Sequence, residues 1–126
     1  MRKKVKIQEI EWLSKEAEEA LVLVTDGLYI CQAFCQPCTR EVGETIEQSL
    51  FSFETQGLEV SNKDQNQVSI RRIDSTFRHE IYARVVDLRL EIVEVGNIRF
   101  ELDIDFSKEL TLNCIVKFFC ERIDLF

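Results

Sequence analysis

The run Val93-Glu94-Val95-Gly96-Asn97-Ile98-Arg99-Phe100-Glu101-Leu102 constrains this chain more than any other stretch of it. Apolar Val93, Val95, Ile98, Phe100 and Leu102 alternate with Glu94, Arg99 and Glu101 on both sides of a Gly-Asn pair. Period two is the repeat of a strand with one buried face, and Gly and Asn both tolerate the positive φ of a two-residue hairpin turn. The run therefore predicts two antiparallel strands in fixed register. A second hairpin is expected at Asp26-Gly27, between apolar residues 21–24 and 28–30.

Further strands read off the same alternation. Residues 81–86 place Ile81, Ala83 and Val85 inward, and residues 115–120 are apolar on both faces, as in a central or strongly curved strand. Shorter strands are expected at 50–53 and 68–73. The segment from Ile7 to Ala20 carries both helical and alternating spacing. The alternation of Ile10 and Trp12 with Glu9 and Glu11 favours a strand ending near Leu13, followed by a tight turn or one helical turn capped by Ser14. Residues 61–67 are polar throughout and predict an exposed loop.

The two sides of that loop look alike, as half-repeats 5–60 and 79–126. Each holds a strand, a hairpin, a connection and a final strand, and Asn113 falls where Gly43 falls. Asn is the next residue after Gly to accept the left-handed conformation. The pattern suggests a degenerate duplication of one β-meander. A chain of 126 residues is the size of one domain. The expected fold is mainly β, a small antiparallel barrel or two-layer sandwich over 1–126, with at most one or two short helical turns. The Val42-Gly43-Glu44 turn into a strand, the aromatic C-terminal strand and its Arg122-Ile123-Asp124-Leu125 ending resemble small uncharacterised bacterial proteins with OB-like or related barrels. That resemblance spans most of the chain and implies a fold type and no activity. Trp12, Phe51, Phe53, Phe118 and Phe119 are expected in the core.

Charge narrows the function classes. The net charge is −7, and residues 8–59 hold eleven acids against Lys15 and Arg40. Such a chain repels nucleic acid and anionic membrane. Polar residues after Met1-Arg-Lys-Lys break any secretory h-region, and no run approaches the roughly 18 apolar residues of a membrane helix. A cytoplasmic protein with reduced thiols is the expectation.

The one dense chemical constellation is Cys31, Cys35 and Cys38. Cys35-Gln36-Pro37-Cys38 matches the Cys-x-Pro-Cys spacing of thioredoxin-like enzymes, but residues 39–43 make a poor helix to stabilise a thiolate. Cys35 and Cys38 have chelating spacing for zinc, with Cys31, His79, Cys114 and Cys120 as the remaining ligand candidates. Cys114 and Cys120 would lie roughly 20 Å apart along one strand and cannot share a metal. The alternative is that Cys31, Cys114 and Cys120 are small buried hydrophobes, Cys38 a loop thiol and His79 a sheet-edge residue. Gly27, Gly43, Gly57 and Gly96 stand isolated, so no phosphate-cradling loop exists.

Arg71, Arg72, Arg78, Arg84, Arg89 and Arg99, with Tyr82, form a basic strip of the kind that binds single-stranded nucleic acid. Asp74, Glu80, Asp87, Glu91 and Glu94 are placed to neutralise it. The reading that remains is a non-enzymatic binding module without a cofactor. Its contact surface is the acidic first half, at Glu16, Glu18 and Glu19 beside Glu9 and Glu11, and its partner a basic protein surface. A thiol or metal site at Cys35, Cys38 and His79 is the runner-up, and nucleic-acid binding the third reading.

Overall fold

The computed structural model describes residues 3–61, 67–106 and 109–126. Val95 pairs with Ile98 across Gly96-Asn97, as the alternation requires, and the ladder runs on through Val93–Phe100 and Ile92–Glu101. Among the described residues nine strands share one sheet: β1 (Lys6–Ser14), β2 (Glu19–Thr25), β3 (Ile30–Cys35), β4 (Leu50–Val60), β5 (Ser69–Arg72), β6 (His79–Asp87), β7 (Ile92–Val95), β8 (Ile98–Leu102) and β9 (Ile115–Asp124). No helix is present among them, and none is long and apolar enough to cross a membrane.

The sheet order is β1-β2-β3-β9-β4-β8-β7-β6-β5, and β9 pairs with β6 as well. That last pairing closes β6, β7, β8, β4 and β9 into a five-stranded barrel. The β1-β2-β3 meander continues from β9 through a single parallel bridge, Phe34 to Asp124, and β5 extends from β6. Each meander thus meets the other half's last strand: β3 lies parallel to β9, and β8 parallel to β4. Gly43 and Asn113 occupy matching places, at φ 89° and 72°. Gly43 N–H donates to the Ile7 carbonyl and Asn113 N–H to the Val85 carbonyl, both at 2.8 Å.

Alternation sorts the barrel's side chains. Ile81, Ala83 and Val85 of β6, Val93 and Val95 of β7, Ile98 and Phe100 of β8, and Val116, Phe118 and Cys120 of β9 are buried. Each large apolar side chain of this set contributes about 1.5–3 kcal/mol by leaving water. Ser14 caps the turn after β1 as expected, its Oγ accepting Ala17 N–H at 3.2 Å.

Several expectations are corrected. The first hairpin is not a two-residue turn. Thr25 pairs with Ile30, because the Asp26 carboxylate takes the N–H groups of Leu28 and Tyr29 at 2.9 and 2.8 Å and keeps them out of the ladder. β4 does not stop at Phe53. Glu54 adopts φ 53° and Asp103 accepts the N–H groups of Glu54 and Thr55, so the strand bends and carries on to Val60. Of the five aromatics expected inside, only Phe118 is fully buried. Phe119 alternates outward, where Lys117 Nζ sits 5.2 Å from its ring, and Phe53 stacks on the Arg122 guanidinium. Of the polar loop at 61–67, residues 62–66 lie outside the described residues.

Candidate functional site

The structure places Cys35 and Cys38 together and sets His79 beside Cys31 and Cys120 instead. Cys35 ends β3 and Cys38 follows in the next loop. Both are buried, and Cys38 is a loop thiol as expected. Burial, and after it a hydrogen bond with Cys38, pushes the Cys35 thiol up to about 12. A thiol so held is neutral at physiological pH, while nucleophiles and metal ligands are thiolates. Among the described residues no three His, Cys, Asp or Glu side chains are grouped to hold a metal. Cys31 and Cys120 are buried too, whereas Cys114 is half-exposed rather than a core residue. Alkylation of the native protein at pH 8 is therefore expected to label Cys114 first. Cys35 should follow roughly a thousandfold more slowly than in denatured protein, which peptide mapping by mass spectrometry would read.

His79 is not a sheet-edge residue. It opens β6, a strand paired on both sides, and its side chain is buried. Its Nδ1–H donates to the Phe77 carbonyl at 3.0 Å, which leaves Nε2 to accept the Gln32 N–H at 3.5 Å. The ring thus fills the gap where β3 parts from β9. Burial, with the nearby Arg72 charge, outweighs the hydrogen bond to Phe77 and lowers its pKa to about 4.

The acidic turn lies at the other end of the meander. Glu16 and Glu18 are exposed and Glu19 half-buried. The backbone behind them is held by the Cys loop: Cys38 N–H donates to the Glu18 carbonyl at 2.6 Å, and Gln36 Nε2 to the Ala17 carbonyl at 3.3 Å. Among the described residues none of the three carboxylates has an ion pair. Trp12 and Leu13, 40% and 44% exposed, end β1 next to this turn. Beyond Ile7, which the Gly43-Glu44 turn covers, β1 is an edge strand.

The basic strip is largely neutralised. Arg71 pairs with Glu80, Arg78 with Glu121 and Arg99 with Glu94, each at 3.0–3.1 Å. Arg72 instead donates to the carbonyls of Thr76 and Ser75.

A cleft that the sequence did not announce lies on the face of the meander turned away from Val22 and Ala33. Register sets Glu9, Leu23 and Gln32 in one row and Glu11, Leu21 and Phe34 in the next. Arg72 of β5 closes the far side. Two adjoining cavities of about 210 and 160 Å³ share Leu23, Gln32 and Arg72. A larger cavity of about 380 Å³ lies elsewhere, at Lys3, Lys4, Glu47 and Arg99, but it is walled by exposed cations and an arginine already paired to Glu94. Glu9 and Glu11 could be read as outward from alternation. Gln32 and Arg72 carried no local signal, because they meet only through the approach of β5 to β3. No family model, curated protein or solved structure matches the chain.

Proposed function

We propose that this protein is a non-enzymatic interaction module that holds a basic, extended segment of another protein against its acidic turn. The observation that carries this reading is the uncompensated set Glu16, Glu18 and Glu19, held on a turn braced by the Cys35–Cys38 loop. None of the three carboxylates is in an ion pair among the described residues, and a basic segment docked on the turn gains from their combined field. Trp12 and Leu13 beside the turn offer an apolar anchor. The free edge of β1 offers backbone groups to an added strand. The burial of the Cys35–Cys38 pair and the ion pairs of Arg71, Arg78 and Arg99 weigh against thiol, metal and nucleic-acid readings. A closed five-stranded barrel is also compatible with the OB-like class, though fold alone assigns no function.

Trp12 is the single tryptophan of the chain, so its fluorescence reports the surface in question. A lysine-rich extended peptide with one leucine should shift that emission in about 20 mM salt. The variant Glu16→Gln/Glu18→Gln/Glu19→Gln should bind roughly tenfold more weakly. The difference should close near about 0.5 M salt, where the Debye length falls to roughly 4 Å. Equal affinity and equal salt dependence for the two proteins would remove the acidic turn as a contact surface.

A further inference from the structure

We propose that the cleft between the β1-β2-β3 meander and β5 binds a free α-amino acid with an apolar side chain. The inference goes beyond the acidic turn and uses none of its residues. Glu9 and Glu11 line the 210 Å³ cavity from β1, and Arg72 lines it from β5. Opposite charges facing one void would ordinarily close on each other. Among the described residues no ion pair joins them. Arg72 is drawn back instead, its Nε 2.7 Å from the Thr76 carbonyl and its Nη2 3.2 Å from that of Ser75.

Between the two walls lies the Gln32 amide. Its Oε1 is buried and has no hydrogen-bond partner. A buried acceptor left unsatisfied is costly, and a ligand that donates to it removes that cost. The adjoining 160 Å³ cavity runs under Gln32 and Arg72 and is walled by Leu23, Ile30 and Ile70. His79 at its edge has both ring nitrogens engaged, so it contributes no charge there.

A ligand that matches every wall carries an ammonium group for Glu9 and Glu11, and a turn of the Gln32 side chain out of its buried position brings Oε1 to one of the ammonium N–H bonds. It carries a carboxylate for the Arg72 guanidinium, and a branched apolar chain for Leu23, Ile30 and Ile70. An amine alone leaves Arg72 unused, and a fatty acid leaves the two carboxylates facing its apolar body. Both charges on one carbon beside an apolar chain define an α-amino acid. A residue inside a peptide lacks them.

The test is calorimetric titration of the full chain with free L-leucine, with N-acetylleucine and leucinamide as singly charged forms, and with glycine as the form without a side chain. Leucine should bind, and each of the other three should bind roughly tenfold more weakly or worse. Arg72→Gln and Glu9→Gln/Glu11→Gln should each weaken leucine by a similar factor. Gln32→Leu, which removes the orphan acceptor, should leave the thermal midpoint unchanged or raised while weakening leucine. The variant Glu16→Gln/Glu18→Gln/Glu19→Gln should bind leucine like the parent, so loss of peptide binding there and loss of leucine binding here fail separately. No binding of leucine, isoleucine or phenylalanine at about 10 mM would overturn the proposal. So would equal binding of the capped forms to the parent protein, a result that does not depend on any variant folding.

Discussion

Replacing Gly96 with alanine is expected to destabilise the protein by about 3 kcal/mol, lowering the thermal midpoint by roughly 10 °C. Gly96 sits at φ 58°, where a side chain is already strained. The larger effect is steric. An added Cβ would overlap Asp26 Oδ2 and lie 2.6 Å from the Tyr29 ring. Asp26 Oδ2 also accepts the Asn97 N–H at 2.9 Å, while Oδ1 accepts Leu28 and Tyr29. One buried carboxylate therefore latches the β2–β3 hairpin to the β7–β8 hairpin, and Gly96 is the gap through which it reaches. Burial works against ionising Asp26, but the donors of Tyr29, Asn97 and Leu28 together hold its pKa below the usual value. Asp26→Asn turns one acceptor into a donor facing the Asn97 N–H and should cost about 2 kcal/mol. Gly27→Ala is the control, since its φ of 95° is strained but nothing lies within 4 Å of the new Cβ. Urea denaturation curves in which Gly96→Ala and Gly27→Ala coincide would show that no such latch operates.

Stability should fall by about 3 kcal/mol as pH drops from 6.5 to 4, through His79 alone. The sign follows from linkage. Burial lowers the folded pKa from 6.5 to about 4. Between those values the unfolded chain binds a proton that the folded chain refuses, so unfolding becomes easier as pH falls. Above about 6.5 the histidine contributes no slope. Arg72 from β5 and the thiols of Cys31 and Cys120 surround the ring, and burial pushes both thiols up so that they stay neutral throughout this window. Asp26 and Asp103 also have lowered values, and the stability they confer is lost only as pH falls through those values, below 3.8. The aspartate windows are therefore separate, while Glu44, whose pKa the Arg40 hydrogen bond holds below 4.5, overlaps only the acid end of the histidine window. His79 is the only histidine, so its ring-proton resonance follows the titration without a variant. A midpoint near 6.5 by NMR, or a flat stability profile from pH 6.5 to 4, would contradict the buried neutral ring. His79→Gln should be less stable at pH 7 but flat across the window.

Much of the local structure was legible in the residues. Alternation and the Gly96-Asn97 turn located β8 to the residue and β7 to within one, since β7 begins at Ile92. The inward set Ile81, Ala83 and Val85, the Ser14 cap and the two-faced apolar β9 were readable in the same way. All of these depend on side-chain period and turn chemistry, which act between neighbours in the chain. The exposure of Glu16 and Glu18 follows from the same local rules.

The rest was decided by contacts between distant segments. Closure of the barrel needs β9 to accept β4 on one edge and β6 on the other, and no residue of β9 encodes which strands those are. β4 runs past Phe53 because Asp103, nearly fifty positions away, satisfies the bent backbone. Cys38 and His79 are buried by elements that pack over them, and their own neighbours in sequence give no hint of it. Phe53 and Phe119 stay outside because strand direction assigned their faces, whatever their hydrophobicity. The cleft exists only because register aligned Glu9 with Gln32 across Leu23 and the fold then brought Arg72 opposite. By itself, then, the sequence determined which segments extend, where they turn and which faces are apolar, because those are short-range properties of the chain. Which strands pair, and so which charges face one another across a cavity, was settled only when the whole sheet closed, because that choice minimises the free energy of all the strands together.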